Sequence, residues 1–194
     1  MTMNTIKIKM KNNNAIKSIL LLCFVAFGFV SCDNDDDNPA PIDEEEVITT
    51  MNVRLTASGS PVTLTSQDLD GDGPNPPEIT VSGNLVANTT YNGSIELLNE
   101  TETPAEDITA EVEEEDEEHQ FFFTASGAIT SVDYDDEDGD GNPVGLSFTL
   151  TTGDAGSGTL QITLRHEPKK PNDGTLADAG GETDIAQTFT LVVE

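Results

Sequence analysis

Thr159-Leu160-Gln161-Ile162-Thr163-Leu164-Arg165-His166 alternates polar and apolar side chains, with Leu160, Ile162 and Leu164 all on one side. Successive side chains of an extended chain point to opposite faces, so this period of two marks a strand with one face in a core. The same pattern recurs along the chain. Strands are predicted over Val47–Thr56, Val62–Gln67, Glu78–Ser82, Tyr91–Leu98, Gln120–Ala125, Ile129–Tyr134, Leu146–Thr151, Thr159–His166 and Thr188–Val193, with Gly, Asn, Asp and Pro between them. A single helix is predicted over Ala105–Glu117, where Ile108 and Val112 form one i, i+4 apolar pair in an acidic field. About nine short strands in roughly 148 residues, without alternation of strand and helix, predict an all-β fold. The expected architecture is one antiparallel β-sandwich, Ig-like or jelly-roll-like, with at most one short surface helix. Its core is built from Val, Leu, Ile and Phe, since the chain has no Trp.

The amino terminus is of another kind. Lys7, Lys9, Lys11 and Lys17 precede an uninterrupted apolar run from Ile19 to Val30, and Ser31 and Cys32 follow it. That is the layout of a secretory signal. The run is shorter than the roughly 20 residues a helix needs to cross a hydrocarbon core, so a permanent transmembrane helix is the weaker reading. Phe29-Val30-Ser31-Cys32 resembles a bacterial lipobox, in which a small residue precedes a cysteine that is acylated and becomes the new terminus; Phe29 stands where an aliphatic residue is usual. Cys32 is the only cysteine outside the apolar run, so no internal disulfide is open to it. The alternative is ordinary cleavage beside a free thiol. Residues 1–31 are thus expected to be a lipoprotein signal peptide, 32–46 the lipidated Cys32 with a flexible tether, and 47–194 one β-sandwich domain. Acyl chains on Cys32 would be the only contact with the membrane.

The tether, Asp33 to Glu46, reads DNDDDNPAPIDEEE, with no apolar period. Beyond Cys32 stand 37 acidic residues against Arg54, Arg165, Lys169 and Lys170, a formal charge of −33. Such a field repels nucleic acid and anionic lipid surfaces, and makes cations the natural counter-species. Acidic residues directly after the cysteine resemble the surface-export signals of Bacteroidota lipoproteins, which implies an outer-membrane, surface-exposed location. In enterobacteria an Asp at that position resembles an inner-membrane retention signal.

Two loops repeat the pattern D-x-D-x-D-G: Asp68, Asp70 and Asp72 with Gly73, and Asp136, Asp138 and Asp140 with Gly141. Alternate carboxylates in a tight turn converge on a point, which suits Ca²⁺ with its six to eight oxygen ligands. An EF-hand would need a Glu at loop position twelve, where Ile79 and Ser147 stand. The loops look instead like calcium turns between strands of extracellular β-domains, and the bland alternative is ordinary Asp-Gly turn chemistry. The histidines, His119 and His166, each lie at the end of a predicted strand. Counting by twos places His119 with Phe121 and Phe123, and His166 with Leu164 and Ile162, so both imidazoles are able to reach one end of the core. With Glu117 they would form a Zn²⁺ or Cu²⁺ site; the bland alternative, and the favoured one without observed proximity, is hydrogen-bonded histidines at a sheet rim. No Gly-x-Ser-x-Gly elbow, phosphate loop, dinucleotide fingerprint or His-Glu-x-x-His motif is present, so an enzyme is not expected.

The stretches LTSQDLDGDGPNPPEITVSG, LVANTTYNGSIELLNE, EEEDEEHQFFF and LTLRHEPKKPN resemble a family of small, uncharacterised Bacteroidota lipoproteins, and the similarity covers most of the chain after Glu44. Some members are labelled type 1 periplasmic-binding-fold proteins, which implies strands and helices alternating around a cleft. The resemblance implies the envelope address, and it places both histidines inside motifs typical of these relatives. The expectation is a surface lipoprotein with a calcium-stabilised binding or adhesion module that meets an extracellular ligand. The second reading is a transition-metal-binding accessory of an outer-membrane nutrient-uptake receptor.

Overall fold

Among the described residues ten strands form, most of them where an apolar period of two buries one face. They are β1 (Thr50–Thr56), β2 (Val62–Gln67), β3 (Glu78–Val81), β4 (Thr90–Asn99), β5 (Glu106–Asp107), β6 (His119–Gly127), β7 (Ile129–Tyr134), β8 (Ser147–Thr152), β9 (Gly156–His166) and β10 (Glu182–Val193). Two short helices accompany them, α1 (Ile108–Glu114) and α2 (Leu176–Ala179). This computed structural model describes residues 46–71 and 73–194. The segment expected to be a signal peptide, Cys32, the expected tether as far as residue 45, and Asp72 lie outside the described residues.

The strands form two antiparallel sheets. The larger runs β3-β2-β1-β4-β8-β7, with β5 added to the end of β4; the smaller runs β10-β9-β6. Their inner faces supply one core. Met51, Val53 and Leu55 of β1, Leu97 of β4 and Leu150 of β8 share it with Phe121 of β6, Leu160, Ile162 and Leu164 of β9 and Phe189 of β10, all fully buried. Burying each such side chain stabilises the fold by roughly 1.5–3 kcal/mol. The all-β sandwich expected from the alternation is the fold observed.

Helix α1 is shorter than its predicted span but uses the expected pair: Ile108 and Val112 are its buried residues. Asp107 caps it by accepting from Thr109 N at 3.1 Å. Thr109 Oγ1 in turn accepts from Leu97 N at 2.9 Å, serving a backbone group of β4 that β8 does not reach. The acid run therefore begins as a packed turn of helix against β4 and ends in the turn that delivers His119.

The largest departure from expectation is β10, which starts six residues before the predicted Thr188. Its first half, Glu182 to Gln187, has only the adjacent Ile185 and Ala186 as apolar residues and shows no apolar period, so its pairing with β9 is what marks it as strand. That pairing is irregular between Thr183 and Ile185 and leaves Asp184 as a bulge. A bulged residue escapes the strand's alternation and is re-aimed.

Candidate metal centre

His119 opens β6 and His166 closes β9, and the antiparallel register sets them directly opposite each other. Their rings meet edge to face with centroids 4.8 Å apart, and His119 Nε2 lies 3.1 Å from His166 Nδ1. Glu46, four residues before β1, adds its carboxylate: Oε1 is 3.0 Å from His119 Nε2, and Oε2 is 3.7 Å from His166 Nδ1. The Asp184 bulge completes the group. One donor atom from each of Glu46, His119, His166 and Asp184 lies within 4.8 Å of all the others.

The protonation pattern follows from hydrogen bonding. His119 Nδ1 is 3.1 Å from Glu115 O, and a carbonyl only accepts, so Nδ1 carries a proton. In the neutral ring Nε2 is then a lone pair, and it faces a carboxylate oxygen, another lone pair, at 3.0 Å. Two acceptors at that distance repel unless a proton or a metal cation stands between them. The carbonyl on Nδ1 also provides the outer hydrogen bond that metal-bound histidines use to fix their ring.

The site is dry. The His119 side chain is fully buried, and those of Glu46 and His166 are 5% and 12% exposed. Among the described residues Glu46 Oε2 has no hydrogen-bond partner. A buried carboxylate oxygen left in this way costs about 1–3 kcal/mol or more. The surrounding field is negative as well: burial, then the carboxylates of Glu106, Glu46, Glu115 and Glu114, hold the Glu111 carboxyl above the usual range.

Glu117 does not join the histidines. Residues 115–118 form a turn, and the Glu117 carboxylate approaches Gly139 in the second aspartate loop. Glu46 and Asp184 take the part that the sequence reading gave to Glu117. Glu46 escaped notice because it is one more acid in an acidic tether, and Asp184 because a bulge leaves no periodic trace.

In the second aspartate loop the chain itself engages the carboxylates of Asp136 and Asp138. Asp136 accepts from Gly145 N at 2.7 Å and Ser147 N at 2.9 Å, so both its oxygens hold backbone. Asp138, whose side chain has no exposure, accepts from Asp140 N, Asn142 N and Asn142 Nδ2, and from Lys170 Nζ at 3.0 Å. Burial pushes its carboxyl up, but Asn142 and Lys170 outweigh that and leave it below the usual range. In the first loop Asp70 Oδ2 accepts from Asn75 Nδ2 at 2.6 Å, while Asp68 and Glu78 line the same open cavity. Asp72 lies outside the described residues. Among the described residues neither loop brings three carboxylate or imidazole donors within 4.8 Å of one another. No protein-family model, curated protein or solved structure matches the chain.

Proposed function

We propose that this protein is an envelope lipoprotein whose β-sandwich binds one divalent transition-metal ion through Glu46, His119, His166 and Asp184. The carrying observation is the contact of His119 Nε2 with Glu46 Oε1 and His166 Nδ1, at 3.0 and 3.1 Å, beside a Glu46 Oε2 that has no hydrogen-bond partner among the described residues. Ligands about 2.0–2.1 Å from a tetrahedral ion stand roughly 3.3 Å apart, and the two separations at His119 Nε2, 3.0 Å to Glu46 Oε1 and 3.1 Å to His166 Nδ1, lie close to that edge. Two imidazoles and two carboxylates suit Zn²⁺ or Cu²⁺. A thiolate-free set disfavours Cu(I), and imidazole is not a Ca²⁺ ligand. With four protein ligands the coordination shell is closed, so the ion is held rather than offered to a substrate.

The leader and Cys32 supply the setting, in which a surface lipoprotein would hold the ion as the accessory of an outer-membrane uptake receptor. The calcium-stabilised adhesion reading is the weaker one, because the second loop spends its carboxylates on backbone N–H groups and Lys170. The competing account of the centre is an imidazolium at His119 paired with Glu46. Calorimetric titration of chelator-stripped protein with Zn²⁺ decides between them. Tight uptake that disappears in both His119→Ala and His166→Ala is the expected result. Uptake that survives both substitutions, or none in the wild type, would overturn the proposal.

A further inference from the structure

We infer that Glu46 is the detachable ligand of this centre: an ion seated there fastens the entry segment 46–48 to the smaller sheet, and the ion leaves when that segment lifts. This rests on the metal-binding reading above and adds to it a route of release.

The four donors differ in what holds their backbone. His119 and His166 occupy opposed positions of the β6–β9 ladder, and Asp184 lies between Thr183 and Ile185, which pair with Arg165 and Leu164 of β9. Glu46 precedes every one of these strands. Regular pairing begins at Thr50, which faces Gln67 on one side and Leu98 on the other. Thr49 is already fixed: its N donates to Leu98 O at 3.0 Å, its O accepts from Asp68 N at 2.7 Å, and its Oγ1 accepts from Glu100 N at 2.8 Å. Among the described residues the backbone of Glu46, Val47 and Ile48 makes no hydrogen bond. Val47 is 55% exposed, and Ile48 is only partly buried against the core. What keeps the segment in place is therefore the Glu46 carboxylate, in its dry site, with help from Ile48. A stretch with few backbone hydrogen bonds and little buried apolar surface opens at low cost.

The contacts at the buried end set the direction of the movement. Without an ion the carboxylate meets the lone pair of a neutral His119 Nε2 at 3.0 Å, and its Oε2 lacks a hydrogen-bond partner among the described residues. Lifting the segment returns both oxygens to water, and Thr49 limits the movement to the residues before it. An ion that binds only the closed arrangement shifts the population toward it. Its bonds also span the sandwich, because Glu46 leads into β1 of the larger sheet whereas the histidines and Asp184 belong to the smaller one. A closed shell of four protein ligands gives an ion no way out. With Glu46 withdrawn, three donors remain and one position opens, so an incoming ligand takes hold of the ion before the histidines let go. A pull on the chain ahead of Glu46 is then felt directly at the ion.

The test uses the mature protein, stripped with chelator or loaded with Zn²⁺. Backbone ¹⁵N relaxation reports the mobility of Val47 and Ile48, and stopped flow against a competing chelator reports the rate of zinc release. In the wild type both amides are expected to be mobile when stripped and rigid when loaded, with Met51 and Val53 of β1 rigid in both. Glu46→Ala should still take up zinc on His119, His166 and Asp184 and leave Val47 and Ile48 mobile in both forms. It should release the ion at least about ten-fold faster, the lower bound for losing even an outer partner of a ligand. Equal mobility of the two amides in stripped and zinc-bound wild type would overturn the detachable ligand and leave the centre standing. A Glu46→Ala protein that releases zinc at the wild-type rate would do the same. No zinc uptake by the wild type would overturn both.

Discussion

Asp138 shows how one residue's environment decides its chemistry. In sequence it is the central carboxylate of a D-x-D-x-D-G loop; in the fold Lys170 places its ammonium on that carboxylate, with only 6% of the lysine side chain exposed. The neutralising cation thus comes from the chain itself, 32 residues away. Removing one partner of a buried pair strands the other, at about 3–5 kcal/mol. Because Asn142 and the backbone still donate to Asp138, Lys170→Ala is expected at the low end, about 3 kcal/mol by urea denaturation. The pH dependence has a definite sign. A depressed carboxyl contributes stability above its ordinary range, and that stability is lost as pH falls through the lowered value. Without Lys170 the depression shrinks, so acid unfolding of the variant should begin at higher pH than in the wild type. If the two acid transitions coincide, Lys170 is not what holds Asp138 ionised.

At the level of strands, legibility followed the apolar period. Leu160, Ile162 and Leu164 announced β9, and counting by twos from Phe121 and Leu164 put both histidines at one end of the core, where they meet. What period-two reading cannot see is a polar strand or a bulge, which is why the start of β10 and Asp184 were missed. Nor could it see packing that depends on an absent side chain. Gly93 faces inward on β4 opposite Phe148 of β8, and a Cβ there would lie 2.4 Å from the phenylalanine ring. That ring is fully buried and packs on Phe123 of β6 with centroids 4.7 Å apart, so it spans the two sheets. Gly93→Ala must displace the ring or the strand and is expected to cost about 1–3 kcal/mol by overpacking. A double variant that also shortens the ring, Gly93→Ala/Phe148→Leu, should recover part of the loss. A Gly93→Ala protein as stable as the wild type would show that the ring has room to move.

Over the whole molecule, charge sets a background that any metal experiment must be read against. With 37 acidic residues and four basic ones beyond Cys32, self-repulsion opposes the compact state, and any cation relieves it to some degree. Millimolar Ca²⁺ is therefore expected to raise the melting temperature of the wild type and of a His119→Ala/His166→Ala variant alike, and added NaCl should erase most of that difference by screening. A specific centre behaves otherwise. Ligand binding to the folded state alone adds about 2.7 kcal/mol when the free ion stands at 100 times its dissociation constant. Zn²⁺ at micromolar concentration should thus stabilise the wild type even in high salt and leave the double histidine variant unmoved. Acid should abolish the zinc effect first, because protons compete for the same imidazole and carboxylate donors. Differential scanning calorimetry across the four combinations of ion and variant separates these contributions. Equal zinc shifts in wild type and variant would assign them to the diffuse field of the acidic surface and remove the reason for a metal at the end of β6 and β9.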